Sequence, residues 1–336
     1  MKKVIIIAEI GVNHNGNIHL AKKMVKEAKK SGADVVKFQT FFADEFVKIN
    51  TKKAKYQLLG TSKKENHYEM IKKLELKKSD FIEIKKYCDQ NKIEFLSTPY
   101  DIKSVELLED LNVKRYKIAS ADLVDMVLHK KILSTKKPLI LSVGMATISE
   151  IRKTVEFYKK KKMSNITLLH CVSNYPCSPK SLNLKTMLKL KKLFKLPVGF
   201  SDHSKGNLAA ILAVGLGATM IEKHFTINKN LQGPDHKASA SPKEFSTFVK
   251  TVREAEVMFG NDEKKCQLEE KEMRRIARKS ITLKKSMKRG EIISYRNIIM
   301  KRPGVGLNGQ KIDTVIGRKL KKNFKKDYQI RKQDLI

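Results

Sequence analysis

Two lysines, two histidines, two carboxylates and four hydroxyls recur at the ends of short apolar runs in this sequence, where a purely structural strand would carry none. Glu9 closes "VIIIAEIG", Lys37 sits in "DVVKFQT", Thr98 in "EFLSTP", Lys117 and Ser120 in "RYKIAS", Ser142 in "PLILSVG", and Ser201 in "PVGFSD". His203 follows that last run, and Glu222 and His224 end "MIEKHFT". Lys37 and Lys117 with Thr98, Ser120, Ser142 and Ser201 would give two fixed cations and four hydroxyls around one cavity, the donor set for a small, highly charged anion such as a phosphate ester that also bears a carboxylate. His203 and His224 come from consecutive runs and can reach a common point, and two neutral imidazoles with water or substrate oxygens suit a divalent transition metal. Glu222 either orients one of those histidines or pairs with a lysine. Glu9 and Asp235, the latter in "GPDH", are carboxylates placed for proton transfer or for holding hydroxyls.

Such residues can meet only if the runs that carry them end on the same side of the molecule. Eight apolar runs, at 4–11, 34–40, 94–99, 115–120, 138–144, 166–172, 197–202 and 220–226, alternate with segments whose apolar residues recur every three or four positions. Near-continuous apolar strands alternating with helices mean parallel strands buried on both faces. The last six begin 21 to 31 residues apart, about one strand-helix unit each, while 60 residues separate the second from the third and carry an insertion. Eight units predict a (β/α)8 barrel, whose strands deliver their carboxyl ends to one mouth. A doubly wound sheet is the alternative, but it would carry a glycine-rich phosphate fingerprint after its first strand, and "GVNHNG" is not GxGxxG.

From about Arg278 the pattern changes to short β-like runs broken by turns at Arg289-Gly290, Pro303-Gly304 and Gly306. The expected division is a barrel over 1–262, a linker over 263–277 and a small β-rich domain over 278–336. The chain has 336 residues, 41% of them hydrophobic, with a net charge of +36, which raises nucleic acid or an anionic membrane as partners. Against that, only 11 of the 71 basic residues are arginine and the lysines are scattered through every helix-like segment, as on solvated helix faces. No nucleic-acid motif and no apolar stretch of about 20 residues is present, so neither partner is expected. Four cysteines form no CxxC pair, and the start lacks a signal-peptide core; a soluble cytoplasmic protein with reduced thiols is predicted.

Taken together, "AEIGVNHNG", "VVKFQT", "FLSTP", "YKIAS", "LSVGMAT", "LHCVSNYP", "GFSDHS", "IEKHFT", "GPDH" and the tail's "KRPGVG" resemble the sialic-acid synthase family, the N-acetylneuraminate synthases and their legionaminate and pseudaminate relatives. The tail resembles the family's antifreeze-like SAF domain. The resemblance implies condensation of phosphoenolpyruvate with the open-chain aldehyde of an N-acetylhexosamine, release of phosphate by C–O cleavage, and a nine-carbon 2-keto acid. It implies that Lys37, Thr98, Lys117, Ser120, Ser142 and Ser201 hold phosphoenolpyruvate and that His203 and His224 hold Mn2+ or Mg2+. Glu9 and Asp235 would handle protons and sugar hydroxyls, and Gln39, Asp122, Ser173 and Tyr175 would line the sugar pocket. It also implies a domain-swapped homodimer in which Arg302 reaches the partner's active site.

Two departures bear on the sugar. Many neuraminate synthases read "SGE" where this chain has Ser120-Ala121-Asp122, and some carry Asn where it has Ser173. "AKYQ" (54–57), "EKHFT" and "GPDH" lean toward N-acetylmannosamine as substrate. The alternatives are the same chemistry on a 2,4-diacetamido-trideoxyhexose or on a 6-phosphorylated mannosamine, and, more remotely, a non-catalytic barrel that binds anions or nucleic acid.

Overall fold

The structure, a computed structural model, describes residues 3–54, 57–58, 60–62 and 64–336. Lys55 and Tyr56 of "AKYQ" lie outside the described residues. The chain divides into two compact units, Met1–Gly260 and Asn261–Ile336.

Eight parallel strands build the first unit: β1 (Ile5–Gly11), β2 (Val35–Thr40), β3 (Glu94–Pro99), β4 (Tyr116–Ile118), β5 (Leu139–Ser142), β6 (Ile166–His170), β7 (Val198–Asp202) and β8 (Met220–His224). The hydrogen-bonded order runs β3-β2-β1-β8-β7-β6-β5-β4, and β3 packs beside β4, closing the ring. This is the predicted (β/α)8 barrel. Helices follow the strands: α1 (Ile18–Lys30) after β1, then, within the long second connection, α2 (Ala43–Phe46), α3 (His67–Leu74) and α4 (Lys78–Gln90). Beyond β3 come α5 (Ile102–Asp110), α6 (Met126–Thr135), α7 (Ile148–Lys160), α8 (Thr186–Phe194), α9 (Leu208–Gly215) and α10 (Pro242–Phe259). Their starts are written in the sequence: Asn17 accepts from the Leu20 N–H at the head of α1, and Thr147 with Glu150 and Ser241 with Glu244 form capping boxes before α7 and α10.

Successive strand residues point to opposite faces, and this two-residue alternation decides what the barrel can hold. Ile7, Val35, Leu96, Ile140, Leu169 and Met220 form one buried cluster inside the ring, while Ile6, Ala8, Val36, Phe38, Tyr116 and Phe200 join the larger core between strands and helices. Each buried Val, Leu, Ile, Phe or Met side chain among them contributes roughly 1.5–3 kcal/mol. Two residues further along, the inward positions become Glu9, Lys37, Thr98, Ser142, Cys171 and Glu222, so a polar layer rests on an apolar plug.

The second unit carries α11 (Glu270–Ala277), within the segment expected as a linker, and the antiparallel pair β9 (Ser280–Leu283) and β10 (Ile298–Lys301). It has its own core of Ile281, Leu283, Met287, Ile293, Ile298, Val315, Leu320 and Ile330. No helix among the described residues is long and apolar enough to cross a membrane.

Candidate active site

The polar layer is organised around four buried ions. Glu9, Lys37, Lys117 and Glu222 are each at most 4% exposed. The Lys37 ammonium lies 2.8 Å from Glu9 Oε2 and 3.7 Å from Glu222 Oε2, and donates to Thr98 Oγ1 at 3.2 Å. The Lys117 ammonium donates to Glu222 Oε1 at 3.4 Å, an oxygen that also accepts from Ser201 Oγ at 2.9 Å. Glu222 therefore touches both lysines, which resolves its role: it is the lysines' counter-ion. Four buried charges of alternating sign cancel, and that makes the layer tolerable, since one unpaired ion there would cost several kcal/mol.

The members are not equivalent. Burial pushes the Glu9 carboxyl well above the usual carboxylate range, with Lys37 only partly opposing it. Burial would raise Glu222 too, but Lys117 and Lys37 outweigh it and hold that carboxylate ionised. Burial, aided by Lys37, lowers the Lys117 ammonium, whereas for Lys37 the two glutamates outweigh burial. Gln39 Nε2 donates to Glu9 Oε1 at 3.2 Å and continues the polar surface outward.

Three of the expected hydroxyls sit at or near this quartet. Thr98 and Ser201 bond to it directly, as above. Ser120 Oγ accepts from the Gly144 N–H at 2.9 Å and lies 3.1 Å from Cys171 Sγ. Gly144 permits this crowding: a Cβ there would come within 2.5 Å of Ser173 Oγ and 2.8 Å of both Cys171 Sγ and Ser120 Oγ. Ser142 ends β5, buried.

His203 and His224 face one another with ring centroids 5.6 Å apart, and Tyr175 packs on both, 4.2 Å from His203 and 5.4 Å from His224. His203 Nδ1 lies 2.8 Å from the Val172 carbonyl, to which it can only donate, so its Nε2 carries a lone pair. The neighbour of that nitrogen is Ser201 Oγ at 3.2 Å, whose one proton goes to Glu222. His224 Nδ1 is buried without a hydrogen-bond partner. Burial holds both imidazoles below their usual pKa, with His203 a further cause for His224, whose pKa falls to about 3. Two neutral imidazoles with rings 5.6 Å apart, one of them with a buried, unpartnered nitrogen, fit a divalent metal ion. No group of three or more His, Cys, Asp or Glu among the described residues gathers as a metal cage, so an ion held here would keep several positions for water or substrate oxygens.

Around the rim, Asp235 is held up to about 6 by burial against the pull of Lys37, and Asp122 is raised to about 7 by burial and by Asp125. One residue was missed by sequence reading. Tyr100, directly after β3, packs on Phe46 at 4.6 Å, and burial together with Asp122, Glu9, Tyr175 and Asp235 drives its hydroxyl pKa up, which puts that hydroxyl among the rim carboxylates. Arg302 is exposed in the second unit, beyond β10. Two other polar strand ends face outward: His170 Nε2 bonds the Leu182 carbonyl at 2.7 Å, and Asp202 pairs with Lys223 at 2.7 Å. Both serve structure, as their parity with Phe200 and Ile221 requires.

Residues 24–264 match the NeuB family and residues 278–336 the SAF domain. The chain is 44% identical to the N,N'-diacetyllegionaminic acid synthase of Campylobacter jejuni over 333 residues, covering 98% of this chain and all of that one. It is 36% identical to the pseudaminic acid synthase of Helicobacter pylori, covering 98% and 97% of the two chains. Among solved structures, the N-acetylneuraminic acid synthetase of Leptospira borgpetersenii in complex with citrate superposes with a TM-score of 0.71 at 35% identity, covering 81% of this chain and 90% of that one.

Proposed function

The chain belongs to the NeuB family, synthases that condense phosphoenolpyruvate with a sugar, and from that membership we propose that it acts on a 2,4-diacetamido-trideoxyhexose to form an N,N'-diacetyllegionaminic acid and phosphate. The observation that carries the choice of sugar is the 44% identity to a legionaminic acid synthase over 98% of this chain and all of that one, against 36% to a pseudaminic acid synthase. N-acetylmannosamine, favoured from motifs alone, yields first place to this alternative. The Ala121-Asp122 pair and Ser173, where the sequence departs from many neuraminate synthases, lie on the same rim.

In this reading phosphoenolpyruvate lies across Lys37 and Lys117 with Thr98, Ser120, Ser142 and Ser201 around it. Glu222 keeps the lysines charged and in place, while Glu9, protonated more readily than an exposed carboxylate, withholds its negative charge when the anion arrives. The methylene carbon, C3, of phosphoenolpyruvate attacks the aldehyde carbon and leaves positive charge on C2, and the aldehyde oxygen takes up a proton, for which Glu9 is the source within reach of the layer. Water adds to C2, phosphate leaves with the bridging oxygen and C2 becomes the ketone; one proton of the water restores Glu9 and the other leaves with phosphate. We propose that His203 and His224 hold Mn2+ or Mg2+, which supplies Lewis-acid polarisation of the aldehyde. Asp235, Gln39, Asp122, Ser173 and Tyr175 are assigned to the sugar's hydroxyl and acetamido groups. The family resemblance further suggests a cytoplasmic, domain-swapped homodimer in which Arg302 serves the partner's sugar site.

The sugar assignment is tested by measuring phosphate release and product mass with phosphoenolpyruvate, Mn2+ and each of three sugars: N-acetylmannosamine, its 6-phosphate and the 2,4-diacetamido-trideoxyhexose. The expected result is a kcat/KM about 10²-fold higher for the diacetamido sugar, the size of discrimination a shaped pocket supplies. Equal or better turnover of N-acetylmannosamine would sink the assignment.

A further inference from the structure

Asp235 lies in the long connection between β8 and α10, where it caps a 3-10 turn over His236–Ala238, yet catalysis and sugar binding need a carboxylate fixed to a fraction of an ångström. What fixes it is the neighbouring histidine. The connection is pinched at its neck, where the Ala240 N–H donates to the His224 carbonyl at 2.8 Å and the Thr226 N–H to the Ala240 carbonyl at 2.9 Å. His236, with no exposed surface, fills the loop from inside.

Its hydrogen bonds have one consistent direction. Asn15, from the loop after β1, donates through Nδ2 to the Gln232 carbonyl at 2.8 Å, so its Oδ1 is turned toward His236 Nε2 at 3.3 Å. An amide oxygen only accepts, so Nε2 carries the proton, and Nδ1, at 2.7 Å, accepts the Thr226 hydroxyl proton in competition with the more distant Asn228 carbonyl at 3.2 Å. Gly233 makes room: a Cβ there would come within 2.7 Å of the His236 ring and 2.8 Å of Asn15 Oδ1. A second strut secures the other side of Asp235, with Asn13 Nδ2 donating to the Phe225 carbonyl and to Ser239 Oγ, which donates to the Asp235 carbonyl at 2.7 Å. The two conspicuous motifs "NHNG" and "GPDH" are thus one device, joining the loops that follow the neighbouring strands β1 and β8.

We infer that His236, oriented by Asn15 and Thr226, is a positioning residue that holds the Asp235 carboxyl over the mouth. The inference rests on the role given to Asp235 in sugar handling. It makes no demand on which sugar is used, so the test runs with whichever sugar the parent enzyme turns over. Steady-state KM for sugar and for phosphoenolpyruvate, kcat and Tm are compared for the parent, Asn15→Ala, His236→Phe, His236→Gln and Asp235→Asn.

Losing the Asn15 bond is expected to raise the sugar KM about tenfold while leaving the phosphoenolpyruvate KM within about twofold, because one hydrogen bond is involved and the lysine site is untouched. His236→Phe, which keeps ring volume but breaks both bonds, is expected to lower kcat/KM for sugar about 10²-fold, with Gln recovering part of it through its own donor. A packing role alone would lower Tm and active fraction and leave both KM values unchanged. That pattern, parental kinetics in Asn15→Ala and His236→Phe, or parental kinetics in Asp235→Asn, overturns the inference. Should His236→Phe fail to fold, the half-buried Asn15 still decides the matter.

Discussion

Lys117→Ala is expected to lower kcat/KM for phosphoenolpyruvate by about 10³-fold, chiefly through KM, because truncating one partner of a buried charge pair costs some 2–5 kcal/mol. The cause is a loss of positive charge. With Lys117 present, two lysines face the ionised Glu222 and the more readily protonated Glu9; without it, Glu222 keeps Ser201 Oγ at 2.9 Å and Lys37 at 3.7 Å, and the layer loses the net positive charge it offers an anionic substrate. The stranded Glu222 should also lower Tm, since an uncompensated buried carboxylate destabilises by about 3 kcal/mol, partly offset by removal of an ammonium that burial already disfavours. Lys117→Arg should recover little, because the planar fork does not fit a position built for a compact ammonium. Saturation by phosphoenolpyruvate unchanged in Lys117→Ala, measured by initial-rate kinetics on folded protein, would remove this lysine from the anion site.

His224→Phe is expected to abolish Mn2+ binding and activity together, although the ring volume packed by Tyr175 is retained. Binding is read from the loss of the free-ion signal in electron paramagnetic resonance. A dissociation constant raised by more than about 10²-fold is predicted, since even partners one bond removed from a metal are worth 10–100-fold. His203→Phe should behave alike and also release the Val172 carbonyl from its 2.8 Å bond. Parental Mn2+ affinity in either variant would mean that the paired lone pairs serve something other than a metal.

Much of this was legible before any coordinates, and the reason is the parallel barrel. Parallel strands buried on both faces write themselves as apolar runs, so β3, for example, spans the residues expected of it, and the polar interruptions at strand ends expose the mouth. Strand parity could have gone further: Ser201 and His203 share a face that Asp202 does not, and Glu222 and His224 share one that Lys223 does not. Sequence spacing along single strands says nothing about Glu222 lying between the two lysines, because its contact with Lys117 spans 105 residues from β4 to β8. Nor could it find Tyr100 among the rim carboxylates, or the bond from Asn15 to His236 across 221 positions. These depend on how loops fold over the mouth, which no local periodicity encodes.

The central claim is that the lysine-lined layer carries out condensation with phosphoenolpyruvate by breaking the bond between carbon and the bridging oxygen. Phosphoenolpyruvate labelled with oxygen-18 at that bridging position, incubated with enzyme, Mn2+ and the diacetamido sugar, reports this bond directly by mass spectrometry. The account predicts that the label leaves entirely in phosphate and that the new keto acid takes its C2 oxygen from water. Label retained in the keto acid, with unlabelled phosphate, would contradict it.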